Sequence, residues 1–567
     1  MGLLEVICFP HKISTMAQAL PQPSTPEKWW RNAVIYQIYP RSFADGNGDG
    51  MGDLLGVHDR LEALKELGVD AVWFSPFFTS PQKDAGYDVS DYTDIDPRFG
   101  TLADFDRVLA KAHDLGIRVI VDLVPNHSSE EHPLFKAALA AGPGSEEREL
   151  YHFKDGKGKN GELPPNNWQS VFGGSTWTRV EDGQWYLHIF DSSQPDFNWE
   201  NPKTVEFFNS VLRFWLDRGV DGFRVDVAHA LIKEPGLPDV EETSSSMTGS
   251  DQDPKEDKPH PHWGQEGVHE IIRGFRKVND EYEDRALCAE AWILPLSKMA
   301  KWVRQDEYHQ AFNFAYLETP WDAKKLHAVV NESLSEFGKV GAPSTWVLSN
   351  HDVIRHVTRL SYDHVPKQGD GIGPKYPQPD EAKGLRRGRA ATAFMLGLPG
   401  SAYIYQGEEL GLPEHTTIED KYREDPTFFR TKGERVGRDG CRVPIPWEQD
   451  APAFGFSSSG QTWLPQPENY RGYSRDAQSG VAGSTLELYK RLLAMRKEHG
   501  MGDGELEWVE EYCDDSLLAY KNSGVMVIAN FGPDSINLPS GELLVTTQHD
   551  LRVEGVLEHD QVAWIKL

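Results

Sequence analysis

From Ala33 onward, short apolar runs alternate with longer stretches whose apolar positions recur every three or four residues. The runs Val34–Tyr39, Val69–Ser75 and Ile117–Val124 read as strands, and the periodic stretches Leu54–Leu67 and Leu102–Leu115 between them read as helices. The alternation continues through helix Val205–Arg218, strand Asp221–Val227, helix Val268–Asn279 and strand Arg285–Ala289. Three further strands follow at Ala311–Phe314, Thr345–Ser349 and Ala402–Tyr405, which brings the count to eight. Parallel strands separated by helices predict an α/β fold, a (β/α)8 TIM barrel, with its site at the carboxyl ends of the strands.

Two stretches break the rhythm. After strand three, residues 128–196 are rich in Gly, Asn and Trp and hold short strands such as Trp185–Phe190, so they read as a small inserted domain B. Lys233–His262, with Ser244, Ser245 and Ser246 amid charge and proline, reads as a mobile loop above strand four. Helix Leu486–Glu498, opened by a capping box from Ser484 to Glu487 and followed by Gly500, closes the barrel. Beyond it the runs Leu517–Tyr520, Val525–Asn530, Leu543–Thr547 and Val562–Ile565 alternate as strands do. The expected organisation is a loose leader over 1–26, barrel segments over 27–127 and 197–483 around the insertion, the helix in 484–500, and a C-terminal all-β sandwich over 501–567. Met16 is a second candidate start, and no internal repeat is present.

Composition narrows the partners. The 567 residues carry 88 Asp and Glu against 58 Lys and Arg, a net charge of -30, so the field repels polyanions and excludes nucleic acid and anionic membrane. Seventeen tryptophans suit a neutral ligand with apolar faces, such as a sugar ring. The four cysteines, Cys8, Cys288, Cys441 and Cys513, are too scattered for a zinc site or a disulfide framework, which points to a reducing compartment. The apolar patch Leu3–Phe9 is broken by Glu5 and has no basic residue before it, so it makes a poor signal peptide. No apolar run is long enough to span a bilayer. The expectation is a cytoplasmic protein, a monomer or weak homo-oligomer.

The chemistry gathers at strand exits. In Gly222-Phe-Arg-Val-Asp-Val-Ala228, β alternation puts Arg224 and Asp226 on one face, and the arginine is expected to keep Asp226 ionised as a nucleophile. Asp122-Leu-Val-Pro-Asn-His127 follows strand three, Glu290 sits beside Trp292 after strand five, and Asn350-His351-Asp352 follows strand seven. An apolar indole beside Glu290 is expected to keep that carboxyl protonated. Asp45, Asn47, Asp49, Met51 and Asp53 stand at alternate positions of a Gly-rich loop that suits a structural Ca²⁺ or Mg²⁺, with no cofactor required for chemistry. The residue where an EF-hand has its final acid is Gly56.

Taken in order, Asp122–His127, Gln194–Trp199, Gly222–Asp226, Glu290 and Asn350–Asp352 resemble the characteristic regions of the α-amylase family of glycoside hydrolases. Trp30–Arg41, the Asp45–Asp53 loop and Gly86–Tyr92 resemble its α-glucosidase and oligo-1,6-glucosidase branch. The resemblance implies Asp226 as nucleophile, Glu290 as general acid/base and Asp352 as the carboxylate that steadies a distorted sugar. It implies His127, Arg224 and His351 as groups holding the sugar or the nucleophile. It implies Asp88 and Arg355 as a pair gripping the terminal glucose, and Phe172 as an aromatic wall. Val227, directly after Asp226, is the residue expected to bear on linkage, although Ala228-His229-Ala230 departs from the Ile-Asn pattern of the oligo-1,6-glucosidases. The implied activity is release of glucose from short α-glucosides such as maltose and isomaltose. The alternatives are a transglucosylase or isomerase acting on trehalose or sucrose, or a sugar-binding protein on a barrel that has lost its chemistry.

Overall fold

The computed structural model describes residues 28–240, 261–364, 367–548 and 555–567. The expected leader with Leu3–Phe9, Cys8 and Met16 lies outside the described residues, as does the greater part of the expected mobile loop with Ser244, Ser245 and Ser246. Eight parallel strands form one sheet: β1 (Val34–Ile38), β2 (Ala71–Phe74), β3 (Arg118–Leu123), β4 (Gly222–Val225), β5 (Ala286–Ala289), β6 (Gln310–Ala311), β7 (Thr345–Val347) and β8 (Ser401–Tyr405). Spatial order follows chain order around the sheet, with β8 between β7 and β1. A bridge between Phe312 and Thr345 joins β6 to β7 and closes the ring.

Alternation along each strand sorts the side chains. Ile35, Trp73, Ile120, Cys288 and Tyr403 pack together inside the ring, while Val72, Val121, Phe223, Val225 and Leu287 join the larger core under the surrounding helices. The register sets Arg224 opposite Asp122 on one side and Cys288 on the other. Polar side chains thus share the interior with aromatic ones at its upper end.

Several strands are shorter than their apolar runs. β4 stops at Val225 because Val227 takes a left-handed backbone, φ 43° and ψ 41°. The expected strand Ala311–Phe314 gives way to a helix Phe314–Glu318, because the Asn313 side chain caps it by accepting from Tyr316 N–H at 3.0 Å. The helix after the barrel spans Thr485–Glu498 and Ser484 caps it, accepting from Glu487 N–H at 3.2 Å. Only half of the expected box forms, since the Glu487 carboxylate accepts from Gly480 N–H at 2.9 Å instead.

Between β3 and β4 the insertion folds into a three-stranded antiparallel sheet (Phe153–Asp155, Trp177–Arg179, Gln184–Leu187). After the closing helix, a five-stranded antiparallel sheet and a two-stranded one form the C-terminal part. Trp564 Nε1 donates to Ala393 O at 3.0 Å and Tyr520 OH to Phe394 O at 2.6 Å, fastening that sheet to the barrel helix Glu381–Leu396. No helix among the described residues is long and apolar enough to cross a membrane. Cys288, Cys441 and Cys513 are free thiols.

Close strand packing leaves no room at Gly222, where an added Cβ would lie 2.0 Å from the Ala286 carbonyl oxygen across the β4–β5 pair. Gly222→Ala is therefore expected to cost about 1 to 3 kcal/mol and lower the melting temperature. Gly274→Ala, in mid-helix with nothing within 4 Å of the new methyl, is expected to raise stability by about 0.5 to 1 kcal/mol. Thermal melts of the two variants beside the parent check both signs.

Candidate active site

At the carboxyl end of the barrel, one guanidinium serves three carboxylates. Arg224 Nη1 lies 2.9 Å from Asp122 Oδ1 and 2.6 Å from Asp226 Oδ1, and Nη2 lies 2.7 Å from Glu290 Oε2. β3, β4 and β5 are hydrogen-bonded neighbours, so their exits bring these three acids onto one arginine. Arg224 is itself buried beneath Trp73, whose ring centroid lies 4.9 Å from the guanidinium carbon. Asp122 also accepts from Trp73 Nε1 and Tyr87 OH, each at 3.2 Å.

Two of the three buried acids on this cation are pushed up. Burial pushes Asp122 up to about 7 against the pull of Arg224. Burial, with Glu290 and Asp122 nearby, also drives Asp226 well above the usual carboxylate range despite Arg224. The expectation that Arg224 alone keeps Asp226 ionised is thus corrected: the cation is shared three ways, and burial beside Glu290 and Asp122 outweighs its pull on Asp226.

Asp226, Glu290 and Asp352 line a single cavity of about 200 Å³. His127, Phe172 and Val227 line it too. Val227 reaches it because the chain leaves the strand there, in a left-handed conformation that is strained for a β-branched residue. Its N–H donates to Glu290 Oε2 at 3.0 Å, and Ala228 N–H donates to Glu290 O at 2.9 Å, which pins the turn against β5. Trp292 also borders the cavity and stacks on Phe314, centroids 3.9 Å apart.

Asp352 faces a second cationic group. Its Oδ1 lies 2.9 Å from Arg438 Nη1 and 2.8 Å from Arg442 Nη2, and His351 Nε2 lies 3.1 Å from Oδ2. Burial opposes ionisation, yet His351, Arg438 and Arg442 hold Asp352 well below the usual range. His351 sits behind the cavity, stacked on Tyr87 at 5.2 Å, and Gln37 Nε2 lies 2.7 Å from its Nδ1. Burial keeps His351 and His127 neutral, His127 pushed down to about 3. Gln194 Nε2 lies 3.1 Å from His127 Nε2.

The expected grip by Asp88 and Arg355 does not form in the cavity. Asp88 is fully buried and accepts from Ser80 Oγ (3.0 Å), Lys83 N–H (2.8 Å) and Asp84 N–H (3.0 Å), so it shapes a turn. Arg355 donates to Gln406 O (2.9 Å) and Cys441 O (3.0 Å), bracing two loops from beneath. Two other acid–arginine pairs line the cavity, Asp370 with Arg435, and Asp84 with Arg438, the latter joined at 2.9 Å between Oδ1 and Nη2. Phe172 lies over that arginine, 4.9 Å from its guanidinium carbon. Asp84 stands two residues before the Gly86–Tyr92 segment, and Arg438 and Arg442 are four apart in Arg-Asp-Gly-Cys-Arg. Nothing in periodicity distinguishes either arginine from a surface one.

The Asp45–Asp53 loop lies outside this cavity. Asp45 accepts from Asn47, Gly48 and Gly50 N–H at 3.1, 2.6 and 2.8 Å, and Asp53 from Gly46, Asn47 and Gly56 N–H at 3.1, 3.0 and 2.7 Å. Asn47 Oδ1 accepts from Asp49 N–H and Asp49 Oδ1 from Met51 N–H, at 2.9 and 2.8 Å, while the Met51 thioether accepts from Arg41 Nε at 3.4 Å. Three carboxylates and an amide oxygen form a donor set for a hard cation. Among the described residues, however, no three His, Cys, Asp or Glu side chains converge to hold a metal.

Residues 37–503 match the family model described as the α-amylase catalytic domain. The chain is 38% identical to a Rhizobium meliloti (strain 1021) protein named "Probable alpha-glucosidase", over 94% of this chain and 95% of that one. It is 35% identical to an oligo-1,6-glucosidase of Parageobacillus thermoglucosidasius, over 91% and 94% respectively. The crystal structure of an α-glucosyl transfer enzyme, XgtA, superposes with a TM-score of 0.80 at 33% identity, covering 95% of this chain and 99% of that one.

Removing the shared cation exposes the three acids to one another. Arg224→Met is expected to cost about 3 to 5 kcal/mol at pH 8, because buried like charges lose their partner. Raised folded-state pKa values stabilise below the unfolded values and lose that effect as pH rises through the folded ones, so the deficit should shrink toward pH 5. Urea unfolding at both pH values checks the size and the slope.

Proposed function

Because the chain belongs to the α-amylase family of glycoside hydrolases, we propose that it is a retaining, exo-acting α-glucosidase releasing glucose from short α-glucosides, maltose and isomaltose included. The observation that carries this reading is a single cavity in which Asp226, Glu290 and Asp352 face the Asp84–Arg438 pair. A glucose ring between them has acids at its anomeric carbon and a charged pair for its far hydroxyls. That pair and Phe172 close the space beyond one ring, which favours short substrates over starch.

Asp226 attacks the anomeric carbon while Glu290 donates its proton to the leaving oxygen, giving a glucosyl ester on Asp226. Water then attacks that ester as Glu290 takes the proton back. The reaction needs one acid ionised and one protonated, and the reading is supported by both acids lying on one guanidinium, Asp226 at 2.6 Å and Glu290 at 2.7 Å. Asp352, held ionised by Arg438 and Arg442, faces the positive charge that develops on the ring. If a sugar hydroxyl replaces water in the second step, the same residues perform transfer, so product analysis decides between the two fates. Val227, beside the scissile bond in this reading, bears on linkage but admits both.

Asp226→Asn is expected to lower turnover by about four orders of magnitude or more with an unchanged melting temperature, since an amide forms no ester. The parent is expected to release α-glucose first, followed by proton NMR, from maltose and isomaltose much faster than from starch. Internal cuts in starch, or β-glucose as first product, would refute the reading.

A structural Ca²⁺ or Mg²⁺ on the Asp45–Asp53 loop is a further part of the proposal. Asp45, Asn47, Asp49 and Asp53 would hold it, and it would stiffen the loop without entering the chemistry. Chelation is then expected to lower the melting temperature, and added Ca²⁺ to restore it. A melting temperature indifferent to both makes the loop a self-bonded turn.

A further inference from the structure

One buried carboxylate holds two walls of the cavity from behind without lining it. Asp425 is 1% exposed and sits at the start of the short helix Pro426–Arg430. Its Oδ2 accepts from Arg438 twice, from the backbone N–H at 2.9 Å and from Nε at 2.6 Å. Its Oδ1 accepts from Thr427 N–H at 2.8 Å. Arg438 and Thr427 both line the cavity.

The geometry points to Asp425 as the positioning residue that aims Arg438 at a bound glucose. An arginine has five N–H bonds in one plane, and the partner of Nε fixes how the other four are directed. With Nε and its own backbone N–H both on Asp425, the plane is set, and each terminal nitrogen meets a different acid. Nη1 takes Asp352 Oδ1 and Nη2 takes Asp84 Oδ1, both at 2.9 Å. Each terminal nitrogen then keeps a second N–H for a sugar hydroxyl. Without Asp425, a guanidinium drawn by only two acids is free to turn toward either, as a bidentate pair, and lose the other.

Asp425 is itself held firmly. Burial opposes its charge, but Arg438 and Arg442 keep it ionised, at about 2. Asp439 Oδ2 accepts from the backbone N–H of Glu424 at 3.1 Å and of Asp425 at 3.3 Å, fixing the chain that carries it. The role is distinct from that of Asp84 and Asp352, which face the cavity.

This inference rests on the α-glucosidase reading, and the test separates the two. Glucose is used as a competitive inhibitor of maltose hydrolysis in the parent, Asp425→Asn, Arg438→Ala and the double variant. Asp425→Asn is expected to raise both the glucose inhibition constant and KM for maltose about tenfold, with kcat reduced less than KM is raised. The double variant is expected to be no worse than Arg438→Ala alone, because a residue that acts through Arg438 has nothing left to position. Effects that multiply in the double variant, or a glucose constant within twofold of the parent in Asp425→Asn, overturn the assignment. Should Asp425→Asn not fold, Asp425→Glu keeps the charge but displaces the guanidinium by one methylene, and the same cycle applies. A parent that neither hydrolyses maltose nor is inhibited by glucose would instead remove the α-glucosidase reading.

Discussion

The site depends on a single guanidinium shared by three carboxylates. Asp122, Asp226 and Glu290 come from three adjacent strands, and Arg224 is within 2.9 Å of each. A cation serving one acid would leave it ionised, and a cation serving three cannot neutralise all of them. Burial beside the other acids pushes Asp122 and Asp226 up against the pull of that cation. The strand order of the barrel, more than any local sequence preference, sets this arrangement.

The strained turn at Val227 packs against the same group. The chain leaves the strand after Asp226, and the Val227 and Ala228 N–H groups donate to Glu290 there. The left-handed backbone costs about 1 to 3 kcal/mol, offset by those hydrogen bonds and by packing of Val227 with Phe172, Phe190 and Trp263. It also turns an apolar side chain into the cavity, where strict alternation along the strand would have hidden it.

Much of this was legible in the sequence, and the parts that were not have physical reasons. Hydrophobic periodicity located all eight strands, since a parallel barrel strand is apolar on both faces. It overran their ends at Val227 and Asn313, where a backbone torsion and a side-chain cap decide the boundary. Residues at strand exits, Asp226, Glu290 and Asp352, converge because the barrel forces them to. Residues on long loops do not announce their targets: Asp88 and Asp84 are both buried acids in one turn, and only the folded chain shows that Asp84 faces Arg438. The same holds for Arg355, which follows β7, and Arg438, which follows β8: only the folded chain shows that Arg438 lines the cavity and Arg355 does not.

Across the cavity, the Arg224 group and the Arg438 group share one imbalance. Asp122, Asp226 and Glu290 outnumber Arg224, and Asp84, Asp352 and Asp425 outnumber Arg438 and Arg442. A folded protein gains no stability from burying more acids than bases, and burial pushes Asp84 up to about 6 and Asp122 to about 7. The excess suits a ligand that is neutral when it binds and becomes positive as it reacts, because fixed acids then attract the transition state more than the ground state. A sugar ring passing through an oxocarbenium ion is such a ligand. The protein's overall charge of -30 adds nothing to that selection at such short range; the local arrangement of six acids and three arginines does.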